Sequence, residues 1–307
     1  MPAKINLSLS VGPRRPDGYH DLTTVYQAVS LYDEVVVSND GAPGLRLFGE
    51  GGSLVPTGPD NLAWRAATVL AAHAGCLDRL ASLQMVLYKE IPVAGGMAGG
   101  SADAAGALVA LTRLWDLDIP DAELAVIATA LGCDVPFTLV GGTALGTGRG
   151  ERLMPLPAAT TLHWVVALSR HGLSTPAVFA ELDRIRRHAR LPRAEAPIGL
   201  IKALADGGPR DIAPYLENDL QVAAVSLDPG LATTLAVGQA AGAVAGLVSG
   251  SGPTCLFLCE SRAAAAEVAA TLELKAHCRQ ALVVRSPIPG PIASRGVEMP
   301  RQHSWTA

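Results

Sequence analysis

The stretch Ile91–Leu111, IPVAGGMAGGSADAAGALVAL, holds Gly95, Gly96, Gly99 and Gly100 within six residues, and Ser101 follows at once. An alanine-rich apolar run comes next. Strand, glycine loop and helix in that order suit an anion. The first N–H groups of a helix have no partner inside it, and the helix dipole is positive there. Glycines let the backbone approach phosphate oxygens and take positive φ. The Ser101 hydroxyl is a further ligand for a phosphate or its magnesium. The plainer alternative is a glycine hairpin that only packs closely. A Walker loop needs Gly-Lys-Ser/Thr, and no lysine lies between Lys89 and Lys202. A dinucleotide fingerprint needs G-x-G-x-x-G, a spacing these glycines lack.

Asp134 stands in LGCDVPF, after Gly132 and before Pro136. A carboxylate beside a turn can take the proton of an acceptor hydroxyl, and the same position suits a helix N-cap. Lys4 lies in the strand-like AKINLSL, where alternation sets Lys4 and Asn6 on one face and Ile5, Leu7 and Leu9 on the other. That face is either solvated or carries a cation for Asp134, which would keep the carboxylate ionised. Tyr19 and His20 follow RRPDG, whose Pro16, Asp17 and Gly18 mark a turn. They are surface aromatics at a loop tip or a pair that reads a base, one by stacking and one by its edge. In TPAVFAELDRIRRHA, Thr175 fits an N-cap with Pro176 first in the helix, and Val178, Leu182 and Ile185 form the buried stripe. Phe179 lies about 100° around from Val178 and faces a cleft or the core.

These residues need elements to position them. EVVVSN and LQMVLY read as strands. NLAWRAATVLAAHAG reads as a helix closed by Gly75, and Ser101 to Trp115 as another with Ala104, Leu108, Leu111 and Trp115 on one face. DAELAVIATALG is a third helix, and FTLVGGTALGTGRGERL reads as strand, glycine turns and strand. PLPAAT, from Pro155 to Thr160, is a candidate domain boundary. HWVVALS then reads as a buried strand, and GLVSGSGPTCLFLCES as strand, glycine turn and strand. From about Ser286 the chain turns proline-rich and aperiodic, which predicts a mobile tail. The 307 residues are 49% hydrophobic, enough for a sizeable core. The net charge of -4 gives no basic footprint, so no nucleic-acid partner is expected. Five cysteines form no C-x-x-C pair, pointing to a reduced protein without structural zinc. No apolar run reaches the ~18 residues of a membrane span. A cytoplasmic protein without a membrane partner is the expectation.

The glycine loop, P-x-x-x-G-M-A-G-G-S-A-D-A, resembles the phosphate loop of the galactokinase, homoserine kinase, mevalonate kinase and phosphomevalonate kinase (GHMP) family. PAKINL and RRPDGYH resemble the family's amino-terminal segment, LGCDVPF its catalytic aspartate segment, followed by GGTALGTGRGE, and ENDL (217–220) and SGSGPT (249–254) its carboxy-terminal motifs; the resemblance spans roughly residues 2 to 285. It implies a two-domain α+β fold, a ribosomal protein S5 domain 2-like amino-terminal domain plus an α/β-sandwich carboxy-terminal one. Residues 1–157 would form the first, 158–287 the second and 288–307 the tail. It implies ATP with Mg2+, the nucleotide held by Pro92, Val93, Ala94, Gly95, Gly96 and Met97 and then by Ala98, Gly99, Gly100, Ser101 and Ala102. It makes Lys4 and Asp134 the catalytic pair and sets Asn6 near the substrate. Within the family, DGYH points to the branch that phosphorylates a cytidine diphosphate ester of methylerythritol. Tyr19 would stack on the cytosine, His20 would bond its edge and Phe179 would supply the second face. A homoserine or mevalonate kinase and a catalytically silent binding protein on this fold are the alternatives. Family members carry several residues of strand before PAK, so a few more residues upstream and a loosely held Lys4 are expected.

Overall fold

The computed structural model describes residues 1–187, 195–276 and 278–291. The chain opens with strands β1 (Pro2–Arg14), β2 (His20–Tyr32), β3 (Glu34–Ser38) and β4 (Gly44–Gly49). Helix α1 (Leu62–His73), strand β5 (Gln84–Lys89) and helices α2 (Gly99–Leu114), α3 (Asp121–Leu131) and α4 (Val135–Val140) follow. Strands β6 (Thr143–Gly148), β7 (Arg152–Pro155) and β8 (Leu162–Ser169) lead to helices α5 (Thr175–Ile185), α6 (Ile198–Asp206) and α7 (Pro209–Ile212). The chain continues as β9 (Glu217–Asn218), α8 (Gln221–Leu227), α9 (Gly230–Ala240), β10 (Ala245–Val248), β11 (Cys255–Cys259), α10 (Arg262–Lys275) and β12 (Cys278–Ser286).

Three sheets result, with strand orders β7-β6-β2-β1-β9, β10-β11-β8-β12 and β3-β5-β4. The alternating apolar positions of β1 (Ile5, Leu7) meet Trp164, Val166 and Leu256 of the second sheet in one core. A polar relay ties the same layers: the Trp164 indole donates to Ser286 Oγ (2.9 Å), and Ser286 donates to Gln27 Oε1 (2.5 Å). The small sheet packs on α1 and α2, whose alanines let helix and sheet approach closely. Asn61 caps α1 by accepting from the Ala63 N–H (2.9 Å), and Gly75 follows it at φ +66°. Ala104, Leu108 and Leu111 of α2 and Trp115 at its C-cap are buried, as their spacing predicts. Among the described residues no helix is long and apolar enough to cross a membrane.

Several expectations are corrected. Phe137–Val140 is helical, not a strand, because Pro136 suits a first turn and Gly141 at φ +66° ends it. The α5 cap is Ser174, and Thr175 is already inside the helix. Its hydroxyl lies 2.8 Å from that of Ser251. Ile185 is exposed, since the helix ends there and the core contact stops at Leu182. Residues 188 and 189, read as its continuation, lie outside the described residues. Of the expected mobile tail, Ile288 is buried and held by its N–H to Ala28 O (3.0 Å) and by Gly142 N–H to its own carbonyl (2.7 Å). Residues 292–307 lie outside the described residues. Lys4 is not loosely held: it pairs with Ala28 in the β1–β2 ladder, and even Met1 accepts from the Asp33 N–H (3.0 Å).

Candidate active site

A cavity of about 900 Å³ opens between β1, β2, the loop before α2, α5 and the turn after β10. Its size suits a nucleotide and a second small molecule. Lys4, Asn6, Tyr26 and Asp134 form its floor, Pro92 to Gly100 one wall, and Tyr19, His20 and Phe179 the far end.

The loop owes its shape to alternating backbone handedness. Ala94, Gly96 and Ala98 have φ of +54°, +75° and +59°, while Gly95 and Met97 between them do not have positive φ. Such alternation turns N–H groups inward into an anion-binding concavity. Two alanines in the left-handed region cost about 1–3 kcal/mol each, strain that concentrates at functional sites. No side chain caps the start of α2, so its first N–H groups stay free for a ligand. The expected reason for each glycine is corrected at Gly99, whose φ is not positive; a Cβ there would meet Ile91 at 3.1 Å. Ala102 is a core residue. Ser101 accepts through its carbonyl from the Thr138 hydroxyl (3.2 Å), and neither Ser101 nor Ala102 lines the cavity.

Lys4 is nearly buried, and its Nζ donates to Asn6 Oδ1 (2.8 Å). Asn6 donates to the Thr24 hydroxyl (2.8 Å), which donates to the Ser8 carbonyl (2.6 Å). The ammonium so aimed lies 3.8 Å from Asp134 Oδ2. Asp134 occupies the cap position of α4, yet its carboxylate bonds no helix N–H. It accepts instead from the Tyr26 phenol, 3.2 Å from Oδ1. The backbone ties this pair to the glycine loop, because Lys4 N–H donates to Met97 O (3.2 Å).

At the far end, His20 is buried with Nε2 2.8 Å from Asp183 Oδ1 and its ring stacked on Phe179, centroids 5.1 Å apart. Tyr19 is 54% exposed, with the Arg149 guanidinium 4.6 Å from its ring centroid. The two carboxy-terminal motifs work together. Asn218 of ENDL donates to Val248 O (2.8 Å) and Gly250 O (2.7 Å), holding the SGSGPT turn against the glycine loop. A Cβ at Gly96 would sit 2.3 Å from Ser249 O, so that contact requires glycine.

Sequence reasoning missed a buried cluster under the loop. Lys89 Nζ donates to Asp33 Oδ2 (2.5 Å) and Asp103 Oδ2 (2.6 Å), while Asp33 Oδ1 accepts from Glu90 and Ile91 N–H. Burial pulls the Lys89 ammonium down, but the two carboxylates outweigh it and hold it above its ordinary value. Burial and the Asp33 charge push the Asp103 carboxyl up to about 7 against the pull of Lys89, and its Oδ1 has no partner. The available signal was an aspartate on the apolar face of α2 beside a lysine ending an apolar strand.

Among the described residues no group of three or more His, Cys, Asp or Glu converges as a metal site.

Two family profiles match, GHMP kinases N terminal domain over residues 61–142 and GHMP kinases C terminal over 200–277. The chain is 56% identical to the 4-diphosphocytidyl-2-C-methyl-D-erythritol kinase of Nocardia farcinica, covering 94% of this chain and 93% of that one. It is 53% identical to the protein of that name from Mycobacterium tuberculosis, covering 94% and 90%. A crystal structure of 4-(cytidine 5'-diphospho)-2C-methyl-D-erythritol kinase superposes with TM-score 0.75 at 34% identity, covering 92% of this chain and 97% of that one. L. major mevalonate kinase superposes with TM-score 0.71 at 16% identity, covering 95% of each, a likeness of fold alone.

Proposed function

Because the chain belongs to the GHMP kinase family, we propose that it transfers the γ-phosphoryl group of ATP to the 2-hydroxyl of 4-diphosphocytidyl-2-C-methyl-D-erythritol. This is a step of the methylerythritol phosphate route to isoprenoid precursors. The substrate assignment follows the relatives that match over nearly the whole chain. The observation that carries the chemistry is the Lys4–Asp134 pair at the edge of a strained, uncapped phosphate loop.

Phosphoryl transfer asks the protein for positioning and charge stabilisation more than for covalent chemistry. The inward N–H groups of the loop and of the α2 N-terminus bind the nucleotide's phosphates. Magnesium, when bound with them, would neutralise charge on the phosphates. Asp134 orients the acceptor hydroxyl in line and receives its proton, and Lys4, 3.8 Å from that carboxylate, attracts the incoming phosphoryl oxygens. Asn6 aims Lys4 and borders the substrate. Tyr19, His20 and Phe179 hold the cytosine, two by stacking and His20 by its edge. The two lobes, 1–157 and 158–287, meet at the cavity, so neither alone holds both reactants.

The test is a coupled ATP-consumption assay with the cytidine diphosphate ester, mevalonate, homoserine and galactose. Turnover of the cytidine ester alone is expected. Turnover of mevalonate or homoserine in its place would move the chain to another branch of the family, and no ATP consumption with any alcohol would leave a binding protein.

A further inference from the structure

Tyr26 sits on β2, buried, its ring against Phe137 of α4 with centroids 4.9 Å apart. Its hydroxyl donates to Asp134 Oδ1 (3.2 Å), and the face of the same ring lies 5.3 Å from the Lys4 ammonium. One side chain therefore touches both members of the pair on which the proposed reaction rests. Asp134 needs such a partner. It bonds no helix N–H, its side chain is one-third exposed, and Lys4 at 3.8 Å attracts it without a hydrogen bond to fix its plane.

The glycines of GTGRG, Gly146 to Gly150, gain a purpose from the same ring. A Cβ at Gly150 would stand 2.2 Å from the Tyr26 hydroxyl oxygen, and one at Gly146 2.6 Å from its Cε2. Both are closer than any side chain tolerates, so β6 and the turn after it leave the phenol its slot. Burial first, and the Asp134 charge second, hold the phenol well above the usual tyrosine range. It stays protonated and donates; it does not compete with Asp134 for the substrate's proton.

We propose that Tyr26 is a positioning residue for phosphoryl transfer: its phenol fixes the Asp134 carboxylate beside Lys4, and Gly146 and Gly150 are glycines so that it can reach. This rests on the kinase reading given above. The phenol acts through Asp134.

The experiment is a mutant cycle on the full-length chain: Tyr26→Phe, Gly150→Ala and the double variant, with kcat, both KM values and the unfolding midpoint measured for each. Tyr26→Phe keeps the ring and removes only the donor. Its kcat is expected to fall about 10- to 100-fold, with the KM values for ATP and the alcohol and the midpoint close to wild type, because misplacing a reacting group acts on the chemical step. Gly150→Ala is expected to lose a comparable factor, since its methyl displaces the hydroxyl. In the double variant that clash is gone, and the loss in kcat should fall short of the product of the two single losses. The strain of alanine at φ +104° is common to both Gly150 variants and cancels in the cycle. Wild-type kcat in Tyr26→Phe, a fall in midpoint and in all kinetic constants together, or two losses that simply multiply would each overturn the inference. The ratios are taken on whichever alcohol the wild-type chain phosphorylates. A wrong substrate thus sinks the substrate reading and leaves the Tyr26 result to stand or fall alone.

Discussion

Replacing Gly100 by alanine separates the phosphate-cradle reading from mere packing. Gly100 is the second residue of α2, its φ is not positive, and a Cβ there would meet no atom within 4 Å. Inside a helix the change from glycine to alanine stabilises by about 0.5–1 kcal/mol. The unfolding free energy should therefore rise. Yet Gly100 lines the cavity, so the added methyl occupies space that phosphate oxygens would fill. Losing one hydrogen bond to a charged group costs ~1.5–3 kcal/mol, or about 10- to 100-fold in affinity. Stability and nucleotide affinity thus move in opposite directions. Gly96→Ala supplies the contrast. Alanine at φ +75° costs ~1–2 kcal/mol, and its methyl would press on Ser249 O at 2.3 Å, a backbone atom that cannot swing aside. In that variant both quantities should fall. Calorimetry with a non-hydrolysable ATP analogue and magnesium, beside denaturant unfolding, reads both. Wild-type affinity in Gly100→Ala, or a stability loss like that of Gly96→Ala, would refute the cradle.

Asp134→Asn should bind the analogue as wild type does and lose about 10²–10⁴ in kcat; near wild-type turnover would remove Asp134 from the mechanism. His20→Ala should lose most of the preference for the cytidine ester over its uridine counterpart, because stacking alone does not choose a base. A full preference retained in kcat/KM would show that His20 does not read it. Asp103 is raised to about 7 in the fold, above its unfolded value of about 3.9, so the folded state holds the extra proton and stability falls as pH rises between those values. Asp103→Asn removes that loss, and its midpoint relative to wild type should climb from pH 4 to 7 and then level off. A difference that stays flat or shrinks over that window would mean the carboxyl is not held protonated.

The sequence made the anchors of the fold visible where local chemistry and tertiary packing agree. Asn61 and Gly75 bracket α1, and the 3.6-residue spacing of Ala104, Leu108, Leu111 and Trp115 meets the small sheet. It misled where they disagree. FTLV has strand composition but follows Pro136 directly, and one helical turn there is what leaves Asp134 at a helix start. Ile185 keeps the period of α5 but lies past the last residue the core can reach. At the site, Lys4 and Asn6 were legible from alternation on β1. The Tyr26 phenol that bonds Asp134 was not, because Tyr26 comes 108 residues earlier in the chain. No spacing rule connects residues brought together by a sheet register. The Asp33–Lys89–Asp103 cluster escaped for the same reason, being assembled from β5, α2 and the link between β2 and β3.

The two carboxy-terminal motifs gain their meaning from β1. That strand carries Lys4 and Asn6 on one stretch, and further along pairs in parallel with β9, Ser8 opposite Glu217 and Leu9 opposite Asn218. Asp219 N–H donates to Leu9 O (2.9 Å), and Asp219 Oδ2 accepts from Val11 N–H (2.7 Å). The pairing delivers Asn218 to the carbonyls of Val248 and Gly250, and so presses the second glycine turn onto Gly96. The strained backbone from Ala94 to Ala98 cannot be kept by that loop's own sequence, since two of its left-handed residues are alanines. It is kept because β1 fixes Met97 from one side and the Ser249–Thr254 turn blocks Gly96 from the other. The strand that presents the lysine thus also holds the shape of the loop it works beside, and a slip of β1 against β9 would disturb both at once.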